Sequence, residues 1–397
     1  MRLALLSFLL LVVACSSDKP PAQGGPDASA SVDGGDGGGT PDGGSSGDDG
    51  GSMGEDGGST GDDGGTSGED GGSTGEEDAG HCEEPAREPG AVLVPGLNNP
   101  RRLAVDATDI YISESHSLRP QPESGEGQIL RLSRGSGEVT TLTKGLYSPD
   151  AIAVDAKNVY VLDQGGLWRV DKATGERGML PIEASVNNVT VGGTDVRTAR
   201  LSGRDVVVVA TGRQRLVRVD TVGAAPSSLV LYESPLNAQV RAARVDGETV
   251  WFLVSGGSEP GLYRVALDGN SPAERVVTSI TAGTSLELTP THFLVTEGGG
   301  GTGKVWKLPR AGGEPVLLAD GLRGPLFPVW FRGAVYFKET VAQSPGFLQR
   351  IRGGCDTTTL DEVGPQGTGP GGLLVDGETL LYTSQESGTG GAVGRVP

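Results

Sequence analysis

The sequence predicts an all-β fold, a seven-bladed β-propeller, and three observations carry that prediction. Between Ile152 and Glu176, IAVDAKNVYVLDQGGLWRVDKATGE, three short alternating apolar runs are separated by turn-forming residues. That is the pattern of consecutive antiparallel strands. The unit recurs: centred on its second strand, it falls at Tyr111, Tyr160, Val207, Trp251, Leu294, Tyr336 and Leu381, at spacings of 42 to 49 residues. Each spacing is about one four-stranded blade. The third strands also repeat by column. Ile129, Leu167, Leu216, Leu262, Val305, Leu348 and Val393 are each followed three residues on by Leu132, Val170, Val219, Val265, Leu308, Ile351 and Val396, with one Arg or Lys between.

Taken in order, the chain starts with a segment of another kind. Met1-Arg2 supplies a positive charge ahead of the apolar run 3–14. The run is shorter than the ~20 residues of a stable bilayer span and reads as an export signal. Its end, Val12-Val13-Ala14-Cys15, resembles the lipobox of bacterial lipoproteins. The resemblance implies that residues 1–14 are removed and that Cys15 carries the acyl chains of a membrane anchor. An ordinary secretory signal is the plainer alternative. Ser16 rather than an aspartate follows the cysteine, which by the same resemblance favours the outer membrane of the cell envelope.

Residues 15–80 read as a lipidated cysteine followed by a disordered tether. From Ser45 a seven-residue motif repeats (SSGDDGG, SMGEDGG, STGDDGG, TSGEDGG) without the apolar positions a coiled coil needs. Gly, Ser and Asp bury too little to offset the entropy of ordering. As a flexible coil the segment would span roughly 45 Å, and like-charge repulsion extends it. A calcium-binding repeat is the sharper alternative, but the aliphatic position that packs a calcium β-roll is missing. Residues 16–80 hold sixteen acidic side chains against the single Lys19, so most of the formal −19 belongs to the tether. The remaining domain, residues 81–397, is only mildly acidic, which excludes a nucleic-acid partner on charge. A monomer is expected.

The last repeat ends at Pro397 after three strands, while residues 91–95, AVLVP, precede the first repeat without a partner. This N-terminal segment is expected to supply the missing fourth strand and close the ring, which would remove the exposed edges. Six blades with one degenerate unit is the alternative. The segments PRRLAVDATDIYISES, PDAIAVDAKNVYVLDQ and GPGGLLVDGETLLYTSQE resemble repeats of NHL-type and YWTD-type β-propellers. VYVLDQGGLWRVDKATGE and LYRVALDGNSPAERV are similar to those of propeller lipoproteins of soil bacteria. The resemblance covers residues 91–397 and implies architecture rather than activity, because propellers host many unrelated functions.

Outside the cytoplasm, Cys82 and Cys355 are an even pair and are expected to form a disulfide across the closure of the ring. Two free thiols are the alternative. His81, His116 and His292 fall in separate places, which leaves neither a nucleophilic triad nor a zinc ligand set. Gly298–Val305 matches GxxxxGK of a phosphate-binding loop. However, Val305 replaces the Mg²⁺-binding hydroxyl and a strand follows instead of a helix. No metal or cofactor is expected. The repeated basic column and the acids Glu114, Asp163, Glu297 and Glu339 at second-strand ends are expected to make bonds between blades or within turns.

The less repetitive residues point to a site. Arg197, Arg200, Arg241 and Arg244 lie on the innermost strands of adjacent blades, with Glu287 level with Arg200 and Arg244 on the next. They are expected to converge near the channel, either as a salt-bridge cluster that includes Glu287 and Asp150 or as an anion-binding mouth. The loops 115–128, 298–303 and 340–346 share the face where inner strands begin, the expected ligand side. These features together predict a membrane-anchored, non-catalytic binding module for a protein, glycan or anionic small molecule. Two alternatives are a divalent-metal-dependent lactonase, with Glu287, Asn188 and Asp150 as ligands by resemblance to gluconolactonase-like propellers, and a purely structural envelope protein.

Overall fold

The computed structural model describes residues 91–116, 125–182, 195–222, 225–235, 237–298, 301–341, 344–352, 360–362, 371–385 and 390–396. They form seven four-stranded antiparallel sheets. Strand β1 (Ala91–Leu97) comes first. Blade one then holds β2 (Pro100–Val105), β3 (Asp109–Glu114), β4 (Gly127–Ser133) and β5 (Val139–Leu146). Blade two holds β6 (Ala151–Val154), β7 (Asn158–Asp163), β8 (Gly166–Asp171) and β9 (Arg177–Leu180). Blade three holds β10 (Asp195–Leu201), β11 (Arg204–Ala210), β12 (Arg215–Asp220) and β13 (Ser227–Glu233). Blade four holds β14 (Ala238–Asp246), β15 (Thr249–Gly256), β16 (Gly261–Ala266) and β17 (Glu274–Val277). Blade five holds β18 (Gly283–Leu288), β19 (His292–Glu297), β20 (Gly303–Pro309) and β21 (Val316–Leu322). Blade six holds β22 (Pro325–Phe331), β23 (Ala334–Val341), β24 (Ser344–Arg352) and β25 (Leu360–Glu362). Blade seven holds β26 (Leu373–Asp376), β27 (Thr379–Ser384) and β28 (Gly391–Val396).

The fourth strand of blade seven is β1. It pairs antiparallel with β28, Ala91 opposite Arg395 and Leu97 opposite Gly391. The ring therefore has seven blades, not six, and is shut by the N-terminal strand. The export signal, the tether, Cys15, Cys82 and Cys355 lie outside the described residues.

The core is divided into layers between neighbouring blades. One layer joins Ala153, Tyr160 and Leu167 of blade two to Val207, Val209 and Val217 of blade three. Another joins Val94, Leu97, Leu381 and Val393 of blade seven to Leu103, Ile112 and Leu130 of blade one. This layered packing explains the sequence columns. Successive residues on a strand face opposite neighbours, so a blade needs apolar residues on both sides of each middle strand. The second-strand centres from Tyr111 to Leu381 are all buried, as are both aliphatic columns of the third strands.

Polar columns tie the layers together. Arg131 donates to the carbonyl of Lys172, Arg169 to Thr221 and Arg218 to Leu267, each in the next blade. The acids ending second strands hold the chain that enters the same blade. Asp163 accepts the Tyr147 amide at 2.9 Å, Glu297 the Thr281 and Ala282 amides at 2.6 and 2.8 Å, and Glu339 the Arg323 amide at 2.7 Å. Glu114 does the same for Asn98. At the opposite end, Asp155 accepts two turn amides and the Tyr160 hydroxyl, and Asp106 repeats this with Tyr111. The Asp–Tyr spacing of the repeat thus closes a hairpin. Gly303 opens strand β20, so the GxxxxGK match is followed by a strand and not a helix.

Lys338 was not singled out by the sequence. On β23 it is fully buried and donates to the Thr383 carbonyl at 2.9 Å, between blades six and seven. Burial pushes its pKa down to about 7. The unfolded lysine, near its usual ~10.4, then holds its proton more tightly than the folded one. Stability should rise as pH increases from about 7 towards ~10.4 and level off beyond. In Lys338→Met that rise should vanish. Urea midpoints measured across this range check it, and an unchanged pH profile in the variant would refute the assignment.

Candidate functional site

All seven inner strands begin at one face, and the local backbone there is irregular. Register slips between Pro100 and Leu103, Val240 and Ala243, Gly283 and Ser285, and Leu326 and Val329. Such bulges re-aim the residues within them. The re-aimed residues include Arg102, Arg241, Thr284 and Phe327, all of which line a channel cavity of about 420 Å³. Phe327 has a φ of 55°, the left-handed region that a bulky aromatic rarely adopts. The guanidinium carbon of Arg102 lies 3.8 Å from its ring centroid, a close cation–π contact. Arg102 also donates through Nε to the Asp150 carbonyl at 2.9 Å, while Arg101 lies 3.6 Å from the Asp150 carboxylate.

Deeper in the channel the charges are paired. Arg244 is held between Asp195 at 2.6 Å and Glu287 at 2.9 Å. Asp195 also accepts Arg197 at 3.0 Å. Burial works against the Arg244 charge, but Glu287 and Asp195 outweigh it and raise the pKa above its usual value. Burial likewise opposes the Asp195 charge, yet Arg197 and Arg244 hold its pKa below the ordinary carboxylate range. Arg197 is shifted downward, by burial first and then by Arg244.

Arg241 differs from these. Among the described residues it makes no ion pair or hydrogen bond, and its buried Nε has no partner. Burial alone lowers its pKa. The cavity lining carries four guanidiniums, Arg102, Arg197, Arg241 and Arg244, against two carboxylates, Asp195 and Glu287. The net charge facing the channel is positive, and one partly buried guanidinium, that of Arg241, is left without a counter-charge.

Four of the five residues expected at the site, Arg197, Arg241, Arg244 and Glu287, line this cavity. Arg200 does not. Its side chain is 75% exposed and pairs with Asp205 beside the β10–β11 turn. The reason is hairpin length. Trp251 pairs with Arg244 and Leu294 with Glu287, each seven residues back, whereas Val207 pairs with Thr198, nine back. Thr198 therefore occupies the level assigned to Arg200, and it donates to the Val154 carbonyl. Asp150, expected with the cluster, instead serves Arg101 and Arg102.

Arg102, Asp195 and Phe327 escaped the sequence reading. One signal was available for blade one: Arg101 stands ten residues before Tyr111, as Arg197 does before Val207 and Arg241 before Trp251. Among the described residues no three His, Cys, Asp or Glu side chains are grouped to hold a metal. Asn188 lies outside the described residues. His116 contacts Glu114 at the mouth face and His292 contacts Thr291 at the opposite one, so the two share no site.

No family model and no curated protein matches the sequence. Solved structures do match the fold. The β-propeller domain of Cps50 (Swd1) from Myceliophteria thermophila aligns with a TM-score of 0.55 and 11% identity, over 76% of this chain and 98% of that one. This chain is a β-propeller. YCF48 bound to D1 peptide aligns with a TM-score of 0.54 and 12% identity, over 78% of this chain and 96% of that one. An ancestral GH74 enzyme gives a TM-score of 0.55 and 12% identity, over 76% of this chain and 48% of that one. At these identities the likeness is one of fold, and the propellers that share it include one bound to a peptide and one that is an enzyme.

Proposed function

We propose that the protein is a membrane-anchored, non-catalytic binding module of the cell envelope whose channel mouth captures an anionic ligand. The lipobox-like run ending at Cys15 supports the anchor, and the composition of residues 16–80 suits a spacer. The observation that carries the anion reading is Arg241, a half-buried guanidinium whose shielded Nε has no partner, without a counter-charge in a channel that holds more cations than anions. A carboxylate or phosphate placed there offsets the cost of that burial and gains the planar donors of Arg241 and Arg102. A lactonase-type metal site is the weaker reading. Glu287, its main candidate ligand, is already engaged by Arg244, and neighbouring arginines oppose a dication.

Isothermal titration of the purified protein with inorganic phosphate and with acetate, at low ionic strength, tests the reading. Both should bind, and Arg241→Ala should weaken them about tenfold, the low end for a charge-assisted hydrogen bond. Stability should hold or improve, since an unpaired, partly buried charge is lost. Equal binding by Arg241→Ala, or no anion binding by wild type, would overturn the proposal.

A further inference from the structure

The channel has two unlike walls. Level with the second-strand centres, the seven inner strands carry Ala104, Ala153, Thr198, Arg244, Glu287, Val329 and Leu374. The charges belong to blades four and five, backed by Arg197 of blade three. Blades six, seven and one, which follow blade five round the ring, carry Val329, Leu374 and Ala104 at that level; Val329 and Leu374 line the cavity, and Ala104 packs between blades one and two. One residue further from the mouth, every blade is apolar: Val105, Val154, Ala199, Val245, Leu288, Trp330 and Val375. Trp330 is 40% exposed and Val375 36%, and both line the same cavity as Arg241. Lys307 Nζ, 5.7 Å from the indole centroid, steadies Trp330.

A bare inorganic anion at the mouth would leave this apolar wall and ring in water. A concave apolar surface with a few convergent polar groups is the form of a site for a small organic ligand. From Arg241 to the ring at Val245 is four residues of strand, or ~13 Å. Resting on the anion reading above, we infer that the channel binds a small amphipathic anion. Its carboxylate or similar head meets Arg241 and Arg102, and a single unbranched or aromatic tail lies along Val329 and Leu374 to Trp330. The two walls explain the preference: the head needs the charged mouth, and Val329 and Leu374 of blades six and seven give the tail an uncharged path to Trp330 and Val375.

Titrating the protein with acetate, hexanoate and decanoate, each below its micellar concentration, and with uncharged decanol tests this. Affinity should climb by about fourfold per added methylene until the cavity fills. Arg241→Ala should weaken all three carboxylates by a similar factor. Trp330→Ala, at an exposed position, should weaken decanoate and leave acetate unchanged. Decanoate should shift the tryptophan emission of wild type, and the shift should be absent in Trp330→Phe. Carboxylates binding without dependence on chain length would overturn the amphipathic ligand and leave the anion site standing. Decanol binding as well as decanoate, with no effect of Arg241→Ala, would overturn both.

Discussion

A chain that begins at residue 98 should fail to fold cooperatively, while one that begins at residue 89 should melt as the full-length protein does in reductant. The shorter chain lacks β1, and with it the hydrogen-bonded partner of β28. Two side chains buried at the junction of blades seven and one, Val94 and Leu97, are lost with it. Each contributes ~1.5–3 kcal/mol on burial. The newly unpaired β28 becomes an open edge, a template for aggregation. Against a typical total stability of ~5–15 kcal/mol, a loss near 5 kcal/mol is decisive. Thermal melts followed by circular dichroism, with light scattering, check it. A cooperative transition at the full-length midpoint in the chain from residue 98 would refute closure by β1.

Arg244→Ala should cost ~3 kcal/mol and move acid unfolding to higher pH. Arg244 bridges Asp195 and Glu287 in the partly buried belt of the channel, and removing it strands two carboxylates with Arg197 alone. Losing one partner of a buried pair costs more than the pair contributes, about 3–5 kcal/mol when burial is complete and nearer the lower figure here. The pH sign follows from Asp195. Burial raises its pKa, but Arg197 and Arg244 more than reverse that, so its folded pKa lies below the unfolded value. Its stabilising contribution is present above the unfolded pKa of ~3.9 and is lost as pH falls through the folded one. Without Arg244 the folded pKa climbs, and the loss begins at higher pH. Denaturant midpoints from pH 7 to pH 2 measure this, and coincident acid limbs for wild type and variant would refute the bridging role. Arg241→Ala is the contrast, because it should affect ligand binding and spare the fold.

Much of the architecture could be read directly from the chain. The centre column from Tyr111 to Leu381 and the aliphatic columns beside it are legible because each blade repeats the same demand, two buried faces on every middle strand. The lone AVLVP segment was legible as the closing strand because the last repeat was one strand short. The acids at second-strand ends and the inter-blade arginines repeat for the same reason. The site was only half legible. Four of its residues could be placed by counting back from the column, but counting failed at Arg200, where one hairpin is longer, and at Arg102 and Phe327, where bulges turn side chains out of register.

By itself, then, the amino-acid order determined the radial repeat of small sheets and the strand order within them, because these depend on a recurring period, whereas seven blades rather than six was decided by the pairing of β1 with β28. Only the tertiary structure decided which arginines are neutralised and which stands alone. Pairing of charges across a channel depends on the angular position of seven separate strands, and one more residue on each arm of a single hairpin is enough to move a guanidinium from the channel into solvent.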